Sequence, residues 1–282
     1  MRRPRTPSPR HAAWLALVAL AVCAGCARPP AKWAAADPAA RPAPVASPSA
    51  EAVPPAVEPA ADLPVITYDR APAGFPADPE PLSTAALREG VHPTRTIAAY
   101  DAPGGQPRAF LAPTISGVEV TMPVVQRRSG WTAVLLPSAN RTIAWIPPGD
   151  GWTTVPLRDQ IVVYRSSHEL RWHRDGALVR SWPVTLGTPK TPTPLGRTFI
   201  LGRSTLPGAV YAGTDVFALG AVPDEPDAVP AGLRGAHIGL HTWYNDQTLG
   251  ADTTDGCIRL TRTGQQLLLQ ELVPGTEILV LN

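Results

Sequence analysis

The chain has 282 residues, 35 of them proline, with 17% charged and 6% aromatic residues and a formal net charge of +2. So even a balance excludes a strongly basic nucleic-acid binder, and the lack of any apolar run of roughly 18 residues excludes a multi-pass membrane protein. Three cysteines, Cys23, Cys26 and Cys257, are too few for a disulfide scaffold or a four-cysteine zinc module.

In chain order, Arg2, Arg3, Arg5 and Arg10 precede an uncharged stretch, residues 12–25, that ends in Ala24-Gly25-Cys26. The stretch is too short to span a bilayer and has the make-up of an export signal. Small residues before a cysteine resemble the lipobox of bacterial lipoproteins, although Cys23 stands where Leu is usual. The resemblance implies lipidation of Cys26 and anchoring to the outer face of the cytoplasmic membrane. The alternative is ordinary secretion with cleavage near Ala27. Without the signal the chain keeps 21 basic and 23 acidic residues, a net of −2, and Cys257 is its only thiol besides Cys26.

Residues 27–93 are dominated by Ala and Pro and read as a disordered tether, with one short helical stretch at Ser83–Glu89. From residue 94 to 156 short β-branched runs alternate with turn formers: Thr96–Tyr100, Val118–Val125, Trp131–Leu136 and Thr142–Ile146. This pattern predicts a small, separable β-module. Gly130-Trp131-Thr132-Ala133-Val134 and Ala144-Trp145-Ile146 give it a resemblance to bacterial SH3-like wall-associated modules.

Residues 157–282 read as a second β-rich domain. Ile161–Tyr164 is a buried-strand run. Glu169–Arg174 and Ala177–Val184 flank Asp175-Gly176, a strong hairpin signal. Alternation puts Leu178, Trp182 and Val184 on one face. Thr263, three residues before Gln266, predicts a capping box opening a short helix, and Thr276–Leu281 reads as a final strand. The fold class is mainly β with one or two short helices.

The chemistry concentrates between residues 235 and 260. Ala236–Leu240 reads as a strand ending at His241, Thr242–Asp255 as a loop, and Ile258-Arg259-Leu260 as a returning strand. Such an arrangement brings Cys257 back to His241, as nucleophilic catalysis by cysteine requires. Activation by His241 predicts a partly ionised thiol of low pKa. Gly256 gives the backbone freedom to turn amides toward a carbonyl oxygen under attack. Arg259 shares an extended face with Cys257 and can meet a substrate carboxylate or support the oxyanion. His237 lies on the same strand face as His241, at the edge of the site or as a structural residue. Trp243 and Tyr244 are candidates for a substrate-facing loop or for plain packing. A zinc site built from His237, His241, Asp252, Asp255 and Cys257 lacks a compact ligand pattern, so no metal or other cofactor is expected.

These residues resemble the catalytic motif of the L,D-transpeptidases, the YkuD-type domain. Its strand is matched by Ile238-Gly239-Leu240-His241, and its Ser-His-Gly-Cys segment by Thr254-Asp255-Gly256-Cys257-Ile258-Arg259. A second stretch, Gly187–Phe199, resembles the family's Thr-Pro-x-Gly-x-Phe segment. The resemblance implies a wall enzyme working on peptidoglycan stem peptides outside the cytoplasmic membrane. Cys257 would expel a terminal D-Ala and form a thioester, and a neighbouring stem amine would take the acyl group in a 3→3 cross-link. His241 would be the base and the Thr242 carbonyl its orienting group. The Gly256 and Cys257 amides would form the oxyanion hole, and Arg259 would fix substrate or loop. Asp255 departs from the family's His. Water as acceptor would make the same site an L,D-carboxypeptidase. Loss of activity would leave a wall-binding lipoprotein.

Overall fold

The computed structural model describes residues 52–68, 71–138, 141–208, 211, 213–221 and 238–282. The signal, Cys26, the tether up to residue 51 and His237 lie outside these residues. Among the described residues no helix is long and apolar enough to cross a membrane.

The N-terminal part is all β. Strands β1 (Glu89–Pro93), β2 (Ile97–Tyr100) and β3 (Pro107–Leu111) come first. A two-stranded ribbon of β4 (Thr114–Ile115) and β5 (Val118–Glu119) follows, then β6 (Met122–Arg128), β7 (Trp131–Leu135), β8 (Ile143–Ile146) and β9 (Trp152–Pro156). Apart from the ribbon they form one antiparallel sheet in the order β3-β2-β8-β7-β6-β1-β9. Ser129 and Gly130 both take left-handed conformations, the geometry of a tight hairpin between β6 and β7. β7 and β8 are buried along their whole length, consistent with their continuous apolar runs.

Two sequence expectations fail here. Residues 52–93 are not tether throughout. Trp131 donates its indole N–H to the Pro54 carbonyl, Tyr100 its hydroxyl to Val57, and Ile66, Phe75, Leu87 and Val91 are buried. A Pro/Ala composition hides such packing because the apolar anchors are widely spaced. The helix expected at Ser83–Glu89 is also absent, and that stretch is turn and extended chain leading into β1. Tertiary bonds override its local preference: the Leu87 amide donates to Glu277 Oε2 and the Arg88 carbonyl accepts from Leu157 N.

The C-terminal part is a second sheet. Its strands are β10 (Asp159–Tyr164), β11 (Glu169–Arg174), β12 (Ala177–Pro183), β14 (Gly196–Ser204), β15 (Val216–Gly220), β16 (Gly239–His241), β18 (Ile258–Arg259) and β19 (Glu277–Leu281). The short strands β13 (Leu186–Gly187) and β17 (Asp252–Thr254) pair separately, and α1 (Arg262–Glu271) is the one helix among the described residues. The sheet order is β12-β11-β10-β19-β14-β15-β16-β18. The last strand of the chain is thus inserted centrally, parallel to β10, an arrangement that no local signal announces.

Leu178 is 57% exposed rather than sharing the face of buried Trp182 and Val184. A bulge between Trp172 and His173 pairs Trp182 with Leu170 but Leu178 with His173, which reverses the alternation. The helix cap is Thr261 rather than Thr263, its Oγ1 accepting from the Gly264 amide at 3.1 Å. Gln265, the residue before the expected capping Gln266, is buried and bonds across to the Leu240 and Asp215 carbonyls.

The two parts share a core. β14 is buried on both faces. Ile200 packs with Ile161, Phe217, Leu240 and Ile258 on one side. Phe199 and Leu201 join Trp131, Leu136, Trp145 and Ala221 on the other. Between them Arg197 makes a bidentate ion pair with Asp78, both almost fully buried.

Candidate active site

Leu240 and Ile258 are fully buried neighbours in parallel register, and the next pair is His241 with Arg259. The chain leaves β16 at His241 and returns through β17 and a tight turn at residues 255–257. That return sets Cys257 beside Gly239. The Gly239 amide faces Cys257 Sγ at 3.5 Å, and a side chain at Gly239 would stand 3.6 Å from His241 Cδ2. Gly239 is therefore a common neighbour of thiol and imidazole. The His241 backbone is fixed by Leu260 N, which donates to its carbonyl.

The turn carrying Cys257 is braced by threonines. Gly256 has φ +106°, a conformation that glycine adopts without strain. Thr254 Oγ1 accepts from Gly256 N at 3.2 Å and donates to the Cys257 carbonyl at 2.7 Å. Thr193 Oγ1 accepts from Gly187 N and donates to the Gly256 carbonyl at 3.1 Å. The Thr188 amide and Thr191 hydroxyl both reach the Thr254 carbonyl. The loop folds back this tightly only because residue 187 is glycine: a Cβ there would lie 2.2 Å from the Thr191 carbonyl oxygen.

This bracing bears on the oxyanion role that the family resemblance assigns to two amides. The Gly256 amide is already committed to Thr254, which leaves the Cys257 amide as the better placed of the pair.

The electrostatics follow from burial. His241 Nδ1 lies 2.7 Å from the Thr242 carbonyl, which can only accept, so Nδ1 carries the proton and Nε2 keeps its lone pair. The ring is 4% exposed. Burial, reinforced by the Arg259 charge, pushes its pKa down to about 4, so it is neutral at physiological pH. Burial also pushes the Cys257 thiol up, and the Asp255 charge adds to this against the Gly239 amide and Arg259, which lower it. The partly ionised thiol expected from the sequence is thus replaced by a neutral thiol beside a neutral imidazole. Desolvation is the largest influence on both groups, although Cys257 keeps part of its surface exposed.

Arg259 is half-buried, its guanidinium 3.5 Å from the Trp243 ring centre. Its Nε is buried without a hydrogen-bond partner. Trp243 in turn packs near His241 and Tyr244, and Tyr211 stands edge-on to the imidazole at 5.3 Å. Tyr244 is 65% exposed and Asp255 is exposed. Sequence reasoning missed Tyr211, which lies outside any motif. It passed over Thr193 and Thr254 as supports, although the threonine-rich stretch 188–193 marked the loop.

Residues 158–280 match the YkuD family, described as the L,D-transpeptidase catalytic domain. Within this YkuD-type region lie Cys257, His241 and the braces just described. A Bacillus licheniformis protein named Putative L,D-transpeptidase YkuD is 29% identical over 126 residues, 44% of this chain and 66% of that protein. The chain therefore spans a little under two thirds of this curated relative. An L,D-transpeptidase structure from Mycobacterium smegmatis is 20% identical, covers 56% of this chain and 80% of its own, and has a TM-score of 0.37. The catalytic domain of the Enterococcus faecium enzyme is 22% identical, covers 44% of this chain and 96% of its own, and has a TM-score of 0.31. The YkuD-type match begins at residue 158, so the β-module before it lies outside the matched region.

Proposed function

We propose that the protein is a peptidoglycan L,D-transpeptidase that works through a Cys257 thioester on stem peptides. The observation that supports this reading is that Gly239 neighbours both groups, its amide 3.5 Å from Cys257 Sγ and its Cβ position 3.6 Å from His241 Cδ2, within a region that matches the L,D-transpeptidase catalytic domain. Because both groups are neutral at rest, the proton leaves sulfur as the S–C bond forms. His241 Nε2 accepts it and returns it to the departing amine of the terminal D-Ala as the C–N bond breaks. The amine of a second stem then attacks the thioester, His241 takes its proton, and the thiol is regenerated with a 3→3 link formed. The Cys257 amide stabilises the oxyanion. Arg259, its guanidinium over the Trp243 ring and in no ion pair with a carboxylate among the described residues, meets the substrate's carboxylate.

The test is intact-mass analysis of the ectodomain after incubation with a carbapenem or a tetrapeptide stem donor. One equivalent of adduct should map to a peptide containing Cys257, and Cys257→Ala should carry none. A folded protein that takes no adduct from either reagent would sink the reading. Addition of a second stem peptide separates transfer, seen as a cross-linked dimer, from hydrolysis to the shortened stem.

We further propose that Cys26 is lipidated and places the enzyme on the outer face of the cytoplasmic membrane. Cys26→Ala should move it from the membrane fraction to the medium or leave it unprocessed. Normal processing with unchanged fractionation would refute this.

A further inference from the structure

A chain of hydrogen bonds runs from the N-terminal β-module toward the candidate site. Arg141, between β7 and β8, takes a left-handed conformation, φ +45°. Arg141 Nη1 donates to the Leu195 carbonyl at 2.5 Å and Nε to the Ala221 carbonyl at 3.4 Å. The approach depends on Gly196, where a Cβ would lie 2.5 Å from Nη1. Leu195 closes the loop whose Thr193 hydroxyl holds the Gly256 carbonyl. The same side chain borders an internal space of about 10 Å³ with Thr193, Ile238 and Ile258. Ile238 precedes Gly239, the neighbour of Sγ, and Ile258 follows Cys257. Arg141 thus borders the same internal space as the residues next to Gly239 and Cys257 in the chain.

The grip is doubled just beyond. Arg197 N donates to the Pro81 carbonyl, and the Arg197 side chain pairs with Asp78. The exit of the loop is thus held at residues 195 and 197 by the segment before β1 and by the module. None of these module residues lies in the region that matches the catalytic family.

The geometry points to Arg141 as a positioning residue supplied by the β-module: through Leu195 and Thr193 it sets the Gly256–Cys257 turn, so that the module is part of the catalytic apparatus. This rests on Cys257 being the nucleophile. Placement errors of about 1 Å at a reacting group cost on the order of 10²-fold in rate, so a hydrogen-bonded brace two links away has a measurable effect.

The experiment compares the wild-type ectodomain with Arg141→Met, Arg141→Lys and Thr193→Val. Three quantities are read: acylation of Cys257 by a tetrapeptide donor, alkylation of Cys257 by iodoacetamide as a function of pH, and the thermal midpoint. Arg141→Met and Thr193→Val should each lower kcat about 10- to 100-fold, leave KM nearly unchanged, and shift the pH midpoint of alkylation. Arg141→Lys should recover part of the rate. The double variant should be no slower than the worse single one, since both break one chain of contacts. An Arg141→Met protein that melts earlier but acylates at the wild-type rate while folded would show a merely structural role and overturn the inference. If Arg141→Met does not fold, Thr193→Val decides, and a wild-type rate and alkylation profile in it overturn the inference equally. A wild-type protein that resists acylation would sink the proposed function, whereas shifted alkylation profiles would still support the positioning role.

Discussion

Replacing His241 by glutamine should slow acylation of Cys257 by about 10²–10⁴-fold while leaving the fold intact. Glutamine keeps the size and a polar terminus but cannot relay a proton. The effect should be large because burial raises the thiol's pKa, and the Gly239 amide and Arg259, which lower it, do not offset that. The pH profile should be equally telling. An imidazole with a pKa of about 4 stays an acceptor well below neutrality, so the acylation rate should hold nearly level down to about pH 5 and fall below that. An ordinary histidine would halve the rate near pH 6.5, and a profile of that kind would show that His241 is not the buried, neutral group described here. The same shift affects stability. The folded state resists protonating His241, so its contribution is complete above the unfolded value of 6.5 and is lost as pH falls toward 4, on the order of 3 kcal/mol in all. Asp255→Asn gives the contrast. Asp255 is exposed and acts on Cys257 only through its charge, and exposed charges are heavily screened. The change should leave the rate within a few-fold of wild type and, if anything, raise it.

Asp78→Ala should destabilise the protein by about 3–5 kcal/mol, because it leaves the Arg197 cation buried without its partner. For a unit of this size that is a fall in Tm of about 10 °C. Replacing both partners together, Asp78→Leu with Arg197→Met, should recover most of the loss. A Tm within about 2 °C of wild type for Asp78→Ala would mean that Arg197 finds another partner, and the junction would then not depend on this pair. Removal of residues 1–156 should be worse still. It takes away Asp78, Arg141 and the Leu87 amide, and it exposes Phe199, Leu201 and Ala221, which lie in the core of the β-module. A catalytic domain starting near Pro156 should therefore not fold stably alone, contrary to the separable module that the sequence suggests. Glu277, bonded to Leu87 N and Gln160 at this junction, has its carboxyl pushed up to about 7 by burial. Its contribution is complete below the ordinary 4.5 and fades as pH rises toward 7, opposite in sign to that of His241. The two trends offset one another in wild type, so the Asp78→Ala comparison belongs at one fixed pH.

The sequence by itself determined most of the strands and pointed to the candidate site residues. Period-two apolar runs, Asp175-Gly176 and the clustered turn formers gave the strands. Cys257, His241 and Gly256 stood out through residue type and spacing alone, because strand–loop–strand geometry follows from short-range preferences. Tertiary structure decided everything that depends on distant partners. It buried the imidazole and left the thiol only partly exposed, so that desolvation rather than pairing dominates their protonation. It committed the Gly256 amide to Thr254 and moved the helix cap to Thr261. It also drew residues 52–93 out of the apparent tether, because a few spaced anchors such as Pro54, Ile66 and Leu87 found partners that composition cannot display. Above all it packed β14 between two cores, joining the β-module to the site through Arg141 and Arg197. Those contacts span more than 50 residues of sequence, beyond the reach of any local pattern.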